Sequence, residues 1–301
     1  MYRVLIVFIG LSIFSFSSPV LALRIFACEP EWASLAEELS GKLNEIQSAL
    51  SVTQDPHRLQ ARPSLISSIR KTDLLICSGA DLEIGWLPLL LRRSGNRQIQ
   101  PGQPGNFVAS SFVRRLEIPT RLDRSQGDLH PQGNPHVHLD PRNIRIIAKA
   151  LSQRLISLDP GNTTEYQRLL EDFQTRWKAA MLGWKARAKP LKGTKVVTHH
   201  TSFSYLLKAY SLVRIGTLET KPGIPPGGAH LSALLKTMTA EPPRYLLRTP
   251  YEDPHPSEWL SDKAGLKMIE LPYSVDEKGP AKDLFELFDV TLSLLLEENE
   301  H

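Results

Sequence analysis

Hydrophobic positions recur along the chain at two spacings, which together predict alternating strands and helices. Short apolar runs typical of buried parallel strands occur at residues 23–28, 46–52, 73–77, 195–198, 212–215, 244–248 and 268–271. Between them, apolar side chains recur every three or four residues, which indicates helices that pack one face against a sheet. These helical patterns cover residues 31–44, 63–70, 86–91, 141–158, 163–188, 202–210, 231–238, 256–264 and 281–296. The alternation predicts an α/β fold with parallel sheets.

One predicted helix is much longer than the others. Its apolar positions continue from about Thr163 for roughly 25 residues without a breaker, which corresponds to about 38 Å. Because it lies between two α/β blocks, we expect a rigid strut rather than a flexible tether. A chain of 301 residues also exceeds the usual size of a single core. We therefore predict an N-terminal lobe at 23–158, a linking helix at 159–190 and a C-terminal lobe at 191–301.

Residues 98–133 interrupt the alternation. They are rich in Pro, Gly and Arg, and only residues 107–112 form a short apolar piece. We interpret most of this segment as loop, because the apolar piece is only weak evidence for a strand.

The N-terminus has the pattern of a secretory signal peptide. Arg3 supplies a positive charge, residues 4–16 are apolar, and residues 20–22 offer small side chains at the usual cleavage spacing. We expect cleavage after Ala22 and export of the mature chain. The alternative is a lipoprotein with residues 25–28 as its lipidation box, in which Phe26 is a poor fit. No later apolar stretch approaches about 18 residues, so no other span is predicted.

Charge and cysteine content narrow the class of protein further. The net charge of +4 comes from 36 basic and 32 acidic residues without a long run of one sign, so no nucleic-acid partner is predicted. Cys28 and Cys77 each end a short apolar run. If those runs are neighbouring parallel strands, a disulfide is geometrically reasonable. Two buried thiols are the alternative.

A short segment between prolines concentrates the candidate chemistry. Pro135 and Pro141 keep residues 133–141 out of a helix interior. If this segment is extended, His136 and His138 project from the same side of the chain, which favours metal ligation over an isolated titrating histidine.

Two further histidines occur in a comparable context. His57 follows the predicted strand at 46–52, and His200 follows the strand at 195–198. Ligands bind at this edge of open α/β sheets. Three imidazoles, from His57, His136 and His200, would bind zinc or another late divalent ion well if they converge between two lobes. A set of unrelated surface histidines is the alternative.

Motifs along nearly the whole mature chain resemble those of one family. In order they are Asp55-Pro56-His57 with Pro63-Ser64, Gly79-Ala80-Asp81-Leu82-Glu83 with Trp86, Gly133-Asn134-Pro135-His136 with Leu139-Asp140-Pro141, and His200 with Phe203 and Tyr205. They resemble cluster A-I solute-binding proteins, the zinc and manganese receptors of metal ABC transporters. The resemblance implies two lobes, each a small parallel sheet flanked by helices, joined by one long rigid helix, with metal bound in the cleft.

The resemblance also implies a set of metal ligands. His57, His136 and His200 fall on the first three ligand positions. Manganese receptors commonly place a glutamate at the third position, so His200 favours Zn2+, with Mn2+ as the alternative. The fourth ligand is usually an aspartate in the loop after the last strand, but the collinear position is close to Pro272. Asp276 is the nearest carboxylate in that loop, and we expect either Asp276 or water as the fourth ligand.

Other histidines depart from the family pattern. The long His-rich acidic loop of many zinc receptors is reduced here to His130. His138 stands where a tryptophan is common, and we interpret it as a packed or solvent-facing residue, with an accessory role at the metal as the alternative. His199 should point away from the site. Surface positions are expected for His230, His255 and His301.

The function that the resemblance implies is transport. We expect a periplasmic, monomeric solute-binding protein that captures zinc and delivers it to a membrane ABC permease, without catalytic residues. A zinc-dependent hydrolase is one alternative, since three histidines and an open position also describe a hydrolytic site. The chain has no His-Glu-x-x-His pair to support it. A metal-binding adhesin or chaperone on the same fold is the other alternative.

Overall fold

Two parallel sheets of four strands form the centre of the computed structural model, which describes residues 22–120, 130–220 and 223–297. The first sheet contains β1 (Arg24–Ala27), β2 (Glu45–Ser48), β3 (Leu74–Cys77) and β4 (Asn106–Val108), in the order β2-β1-β3-β4. The second contains β5 (Lys195–Thr198), β6 (Val213–Thr217), β7 (Tyr245–Arg248) and β8 (Lys267–Glu270), in the order β6-β5-β7-β8. The predicted two-lobe α/β fold is confirmed. The predicted signal peptide lies outside the described residues apart from Ala22.

Helices flank both sheets. They are α1 (Pro30–Ser40), α2 (Pro63–Arg70), α3 (Leu87–Ser94), α4 (Pro141–Leu158), α5 (Thr163–Arg187), α6 (Ser204–Tyr210), α7 (Gly228–Ala240), α8 (Pro254–Ala264) and α9 (Leu284–Glu297). Several begin with proline in the first turn, where its missing N–H leaves no bond unmade. Within the described ranges, no helix combines the length and apolar character needed to cross a bilayer.

The fourth strand of the first sheet lies in the segment interpreted as loop. Its residues Asn106, Phe107 and Val108 pair in parallel with β3, and the Phe107 side chain is buried. Three residues are too few to show a period of two, so this strand is defined by its partner rather than by its own pattern.

The second strand is shorter than predicted. It spans Glu45–Ser48 rather than residues 46–52, and the Ala49 N–H makes one more bond to the Ala27 carbonyl before the chain leaves the sheet. His57 therefore belongs to a long loop between β2 and α2 instead of following a strand end directly.

Helix α5 is the predicted linking helix, and it starts at Thr163 as predicted. Its Trp177 donates to the Pro141 carbonyl of α4, while Trp184 donates to Asp289 of α9. Both tryptophans also pack against Phe288 of α9. One hydrophobic core contains residues of both sheets and this helix, so the two lobes are joined by packed side chains as well as by the chain itself.

A disulfide joins Cys28 to Cys77 at the carboxyl ends of β1 and β3. The two strands are neighbours, and the Cys28 N–H bonds to the Ile76 carbonyl, so the Cα atoms come within 4.8 Å. The alternative of two buried thiols is wrong.

Candidate metal centre

Three histidines from distant parts of the chain meet between the lobes. The ligand nitrogens of His57, His136 and His200 all lie within 4.8 Å of one another. The ring centroids form a nearly equilateral triangle, with separations of 5.7 Å for His57 and His136, 5.7 Å for His57 and His200, and 5.6 Å for His136 and His200. His136 and His200 are buried, and His57 is partly buried. Three rings at equal separations can direct one nitrogen each to a common point.

The His57 loop is fixed by the motif that follows it. The indole N–H of Trp86 donates to the Pro56 carbonyl at 2.9 Å, which ties the loop to the start of α3. Gly85 lies so close that a Cβ on it would be 3.0 Å from the His57 carbonyl oxygen. The tryptophan and the glycine thus allow the His57 backbone to pack directly on this turn.

The His136 segment is fixed by Gly133 and Asn134. Gly133 has a φ of +100°, and a Cβ there would lie 2.8 Å from the Leu116 carbonyl oxygen, so a side chain would be both strained and crowded. The Asn134 side chain accepts the His136 N–H at 3.0 Å and donates to the Thr201 carbonyl at 2.9 Å. One asparagine therefore links the His136 segment to the loop that carries His200.

Each of the three rings has a partner on its Nδ1 atom. The pairs are His57 with Asp55, His136 with the Tyr273 hydroxyl and His200 with Glu219, each at 2.7 Å. A carboxylate only accepts hydrogen bonds, so Nδ1 of His57 and of His200 carries the proton and Nε2 keeps its lone pair. Such partners orient imidazoles for metal binding. The arrangement leaves the Nε2 atoms as the candidate ligands.

One ring nitrogen of His136, Nε2, is buried without a hydrogen-bond partner among the described residues. Burial, together with the neighbouring imidazoles of His200 and His57, holds the pKa of His136 well below its ordinary value. The ring is therefore neutral at neutral pH, with a free lone pair. A buried polar atom without a partner destabilises a fold by about 1–3 kcal/mol, and a cation would satisfy this atom.

The two carboxylates behind the rings are charged. Burial by itself would raise the pKa of Asp55, but the hydrogen bonds and charge of His57 outweigh it and lower that pKa. Burial would likewise raise the pKa of Glu219, but the hydrogen bond and charge of His200 outweigh burial and lower that pKa. Two negative charges thus lie directly behind the imidazoles, an arrangement that favours a divalent cation in front of them.

A fourth histidine lies beside the three. Nε2 of His130 is 3.2 Å from Nε2 of His57, and the His130 ring is buried. Burial, followed by the charges of His57 and His200, lowers the pKa of His130 to about 3. In the sequence, His130 stands out only as the remnant of a longer His-rich loop, and no local pattern indicates a role at the site.

Asp276 is not brought to the histidine cluster. Its carboxylate accepts the Lys278 N–H at 3.0 Å and lines a separate cavity with Ala33 and Glu37 of α1. In the loop after β8, Tyr273 is the residue that reaches the cluster, and the chain turns away before Asp276. The expectation of an aspartate ligand from this loop therefore finds no support in the geometry.

The remaining histidines have other surroundings. His138 is buried behind the cluster, with Nδ1 3.2 Å from Glu31 and Nε2 2.8 Å from the Tyr273 carbonyl, so it is packed rather than solvent-facing. His199 bonds to Ser257 of α8. His230 bonds to the Thr217 carbonyl, and His255 is exposed. His301 lies outside the described residues.

A cavity of about 190 Å3 adjoins the cluster. His57 and Asp55 line it from the first lobe, and His200 and Glu219 line it from the second. Arg58 donates to the Gly223 carbonyl at 2.9 Å across the same cleft. The cluster is therefore next to a space between the lobes, rather than enclosed within one of them.

Comparison with known proteins identifies the family. The family model described as zinc-uptake complex component A, periplasmic (ZnuA) matches residues 25–297. The chain belongs to this family. Its members are substrate-binding components of metal ABC transporters and not enzymes, so the hydrolase alternative is set aside. The predicted family is confirmed.

Individual relatives differ in the metal that their names state. The chain is 25% identical over 197 residues to the manganese ABC transporter substrate-binding lipoprotein PsaA of Streptococcus anginosus, a match that covers 63% of this chain and 60% of PsaA. It is 23% identical over 272 residues to the metal ABC transporter substrate-binding lipoprotein SloC of Streptococcus mutans, covering 87% and 85% of the two chains.

Solved structures share the fold of this ZnuA-family chain. A crystal structure of ZnuA superposes with a TM-score of 0.75 at 20% identity and covers 91% of this chain and 98% of that one. A manganese-bound periplasmic metal-binding protein from Candidatus Liberibacter asiaticus gives a TM-score of 0.74 at 14% identity and covers 91% and 98% of the two chains. The two-lobe architecture with a long central helix is therefore that of the family.

Proposed function

We propose that this chain is the zinc receptor of a metal ABC transporter and that His57, His136 and His200 are its ligands. The observation that carries the proposal is the geometry of the three rings, whose Nδ1 atoms are held by outer partners. Together with the unpartnered Nε2 of His136, this geometry leaves three nitrogens for one ion.

The choice of zinc over manganese rests on the chemistry of these donors. The ligand atoms that converge are imidazole nitrogens, whereas Mn2+ prefers carboxylate, carbonyl and water oxygens. The nearby carboxylates of Asp55 and Glu219 are held behind the rings by their bonds to Nδ1. Nitrogen sites also bind zinc more tightly than manganese in the general affinity order of divalent metals.

The proposed role includes location and domain organisation. We place the mature receptor outside the cytoplasm, released after cleavage at Ala22 rather than anchored by a lipid at Cys28, whose sulfur is in the disulfide. Its lobes are residues 23–158 and 191–301, joined by residues 159–190. It works as a monomer and delivers its ion to a membrane permease.

Competitive titration of the metal-free mature protein tests the proposal. We expect one zinc ion per chain and an affinity for zinc at least about 100-fold above that for manganese, in line with the donor chemistry. A matched control is His255→Ala, which removes an exposed imidazole. Equal affinities for the two ions would contradict zinc selectivity, and the absence of binding to the wild-type protein would contradict the receptor function itself.

A further inference from the structure

A tetrahedral zinc ion takes four ligands, and His130 lies beside the three histidines proposed above. Zinc binds imidazole nitrogen at about 2.0–2.1 Å, so two nitrogens on one tetrahedral ion are about 3.3 Å apart. The Nε2 atoms of His130 and His57 are 3.2 Å apart. Their separation is thus the one expected for two ligands of the same ion.

The tautomer of His57 adds to this argument. Asp55 accepts a hydrogen bond from Nδ1 of His57. Nε2 of His57 therefore presents a lone pair toward His130. Nε2 of His130 lies 3.2 Å from this nitrogen, and the His130 ring centroid is 6.2 Å from that of His136. A cation between these nitrogens would satisfy them together, whereas without it only a single shared proton could join His130 to His57.

His130 is also held in place rather than free to swing. Its ring makes a hydrogen bond to the backbone of Ala80, and its carbonyl accepts the Gly133 N–H at 2.9 Å. Gln132, two residues on, donates to Asp81 at 3.2 Å. These contacts tie the His130 turn to the loop after β3 and so to the first lobe, which also carries His57 and His136.

We infer that His130 supplies the fourth nitrogen to a zinc ion bound by His57, His136 and His200. The inference rests on the zinc function proposed above. Three ligands then come from the first lobe and one, His200, from the second. A coordination sphere of four neutral imidazoles also contains no carboxylate, which disfavours manganese further.

X-ray absorption of the zinc-loaded mature protein counts the imidazoles directly. We expect four in the wild type, and three with an oxygen donor in His130→Ala at unchanged stoichiometry of one zinc. The same variant should bind zinc at least about tenfold more weakly, as expected for the loss of one ligand. His255→Ala should retain four imidazoles and the wild-type affinity.

The possible results separate the two proposals. Three imidazoles in the wild-type protein would overturn the role of His130 and leave the zinc receptor intact, with His130 bonded only to His57. The number of imidazoles bound to zinc in the wild-type protein decides whether His130 is a ligand, even if His130→Ala does not fold. Failure of the wild-type protein to bind zinc would instead overturn the proposed function.

Discussion

The Tyr273 hydroxyl lies 2.7 Å from Nδ1 of His136 and connects the second lobe to a histidine of the first. The Tyr273 carbonyl also accepts from Nε2 of His138 at 2.8 Å, and the next residue, Ser274, bonds to Glu31 of α1. The loop after β8 is therefore fixed to the first lobe at several points. Through its hydroxyl, Tyr273 contacts one of the three proposed ligands from the opposite lobe.

Tyr273→Phe should weaken zinc binding by about tenfold or more, because loss of a partner that orients a metal ligand commonly has an effect of this size. When Nε2 of His136 faces the ion, Nδ1 carries the proton and donates it to the phenol oxygen, and phenylalanine cannot accept it. Competitive zinc titration measures the change. Tyr251→Phe is the matched control, since its hydroxyl bonds to Ser202 instead of a cluster histidine. Equal effects of the two variants would argue against an orienting role for Tyr273.

His57→Ala, His136→Ala and His200→Ala should each weaken zinc binding by well over tenfold, because each removes one ligand of the ion. His138→Ala serves as the comparison from the same segment as His136. It removes a buried contact with Glu31, so it should lower the stability of the metal-free protein while changing zinc affinity much less. Titration and thermal unfolding separate the two effects. An equal loss of affinity in His138→Ala and His136→Ala would mean that the pair is assigned wrongly.

Glu252 should make stability depend on pH. The residue is only partly buried, but its Oε1 is buried without a hydrogen-bond partner among the described residues. Burial, reinforced by the charge of Glu219, raises the pKa of Glu252 from 4.5 to about 8. The unfolded chain loses this proton near pH 4.5 and the folded chain keeps it to about pH 8. Its contribution to stability is therefore complete below 4.5 and is lost as the pH rises through this window, by about 1.4 kcal/mol per pH unit.

Glu252→Gln removes this titration. Relative to the wild type, the variant should gain free energy of unfolding as the pH rises from about 5 to about 7, a range that lies inside the window set by the two pKa values. Urea unfolding of the metal-free protein at several pH values measures the difference. Asp262→Asn changes an exposed carboxylate of α8 and should run parallel to the wild type. Parallel curves for Glu252→Gln as well would show that Glu252 is ionised in the folded protein.

Metal release should involve small lobe movements. A wide opening would have to separate α5 from α9, where Trp177 and Trp184 pack against Phe285 and Phe288. Small-angle scattering of the metal-free and zinc-bound forms tests this. We expect a radius of gyration near 19 Å for a compact chain of this length, with a change of less than about 1 Å on zinc binding. A larger change would show that the linking helix does not hold the lobes rigidly.

The sequence by itself determined the α/β class, the long linking helix and the family. Periodicity predicted α5 from about Thr163, where it begins, because a helix of 25 residues repeats its apolar pattern many times. The hydrophobic pattern did not predict β4, because a strand of three residues is too short to show a repeat of apolar positions. The histidines His57, His136 and His200 were selected from the sequence because each occurs in a recognisable motif, and the tertiary structure brings them together.

Only the tertiary structure decided what surrounds these histidines. Tyr273 is 137 positions from His136, and His130 is 73 positions from His57, so no local pattern connects the members of either pair. Asp276 was chosen because it is the nearest carboxylate in the loop after the last strand, but in the structure it lines a separate cavity beside α1. Hydrogen-bond partners across a cleft depend on how two lobes pack, and that packing is set by the shared core rather than by the motifs themselves.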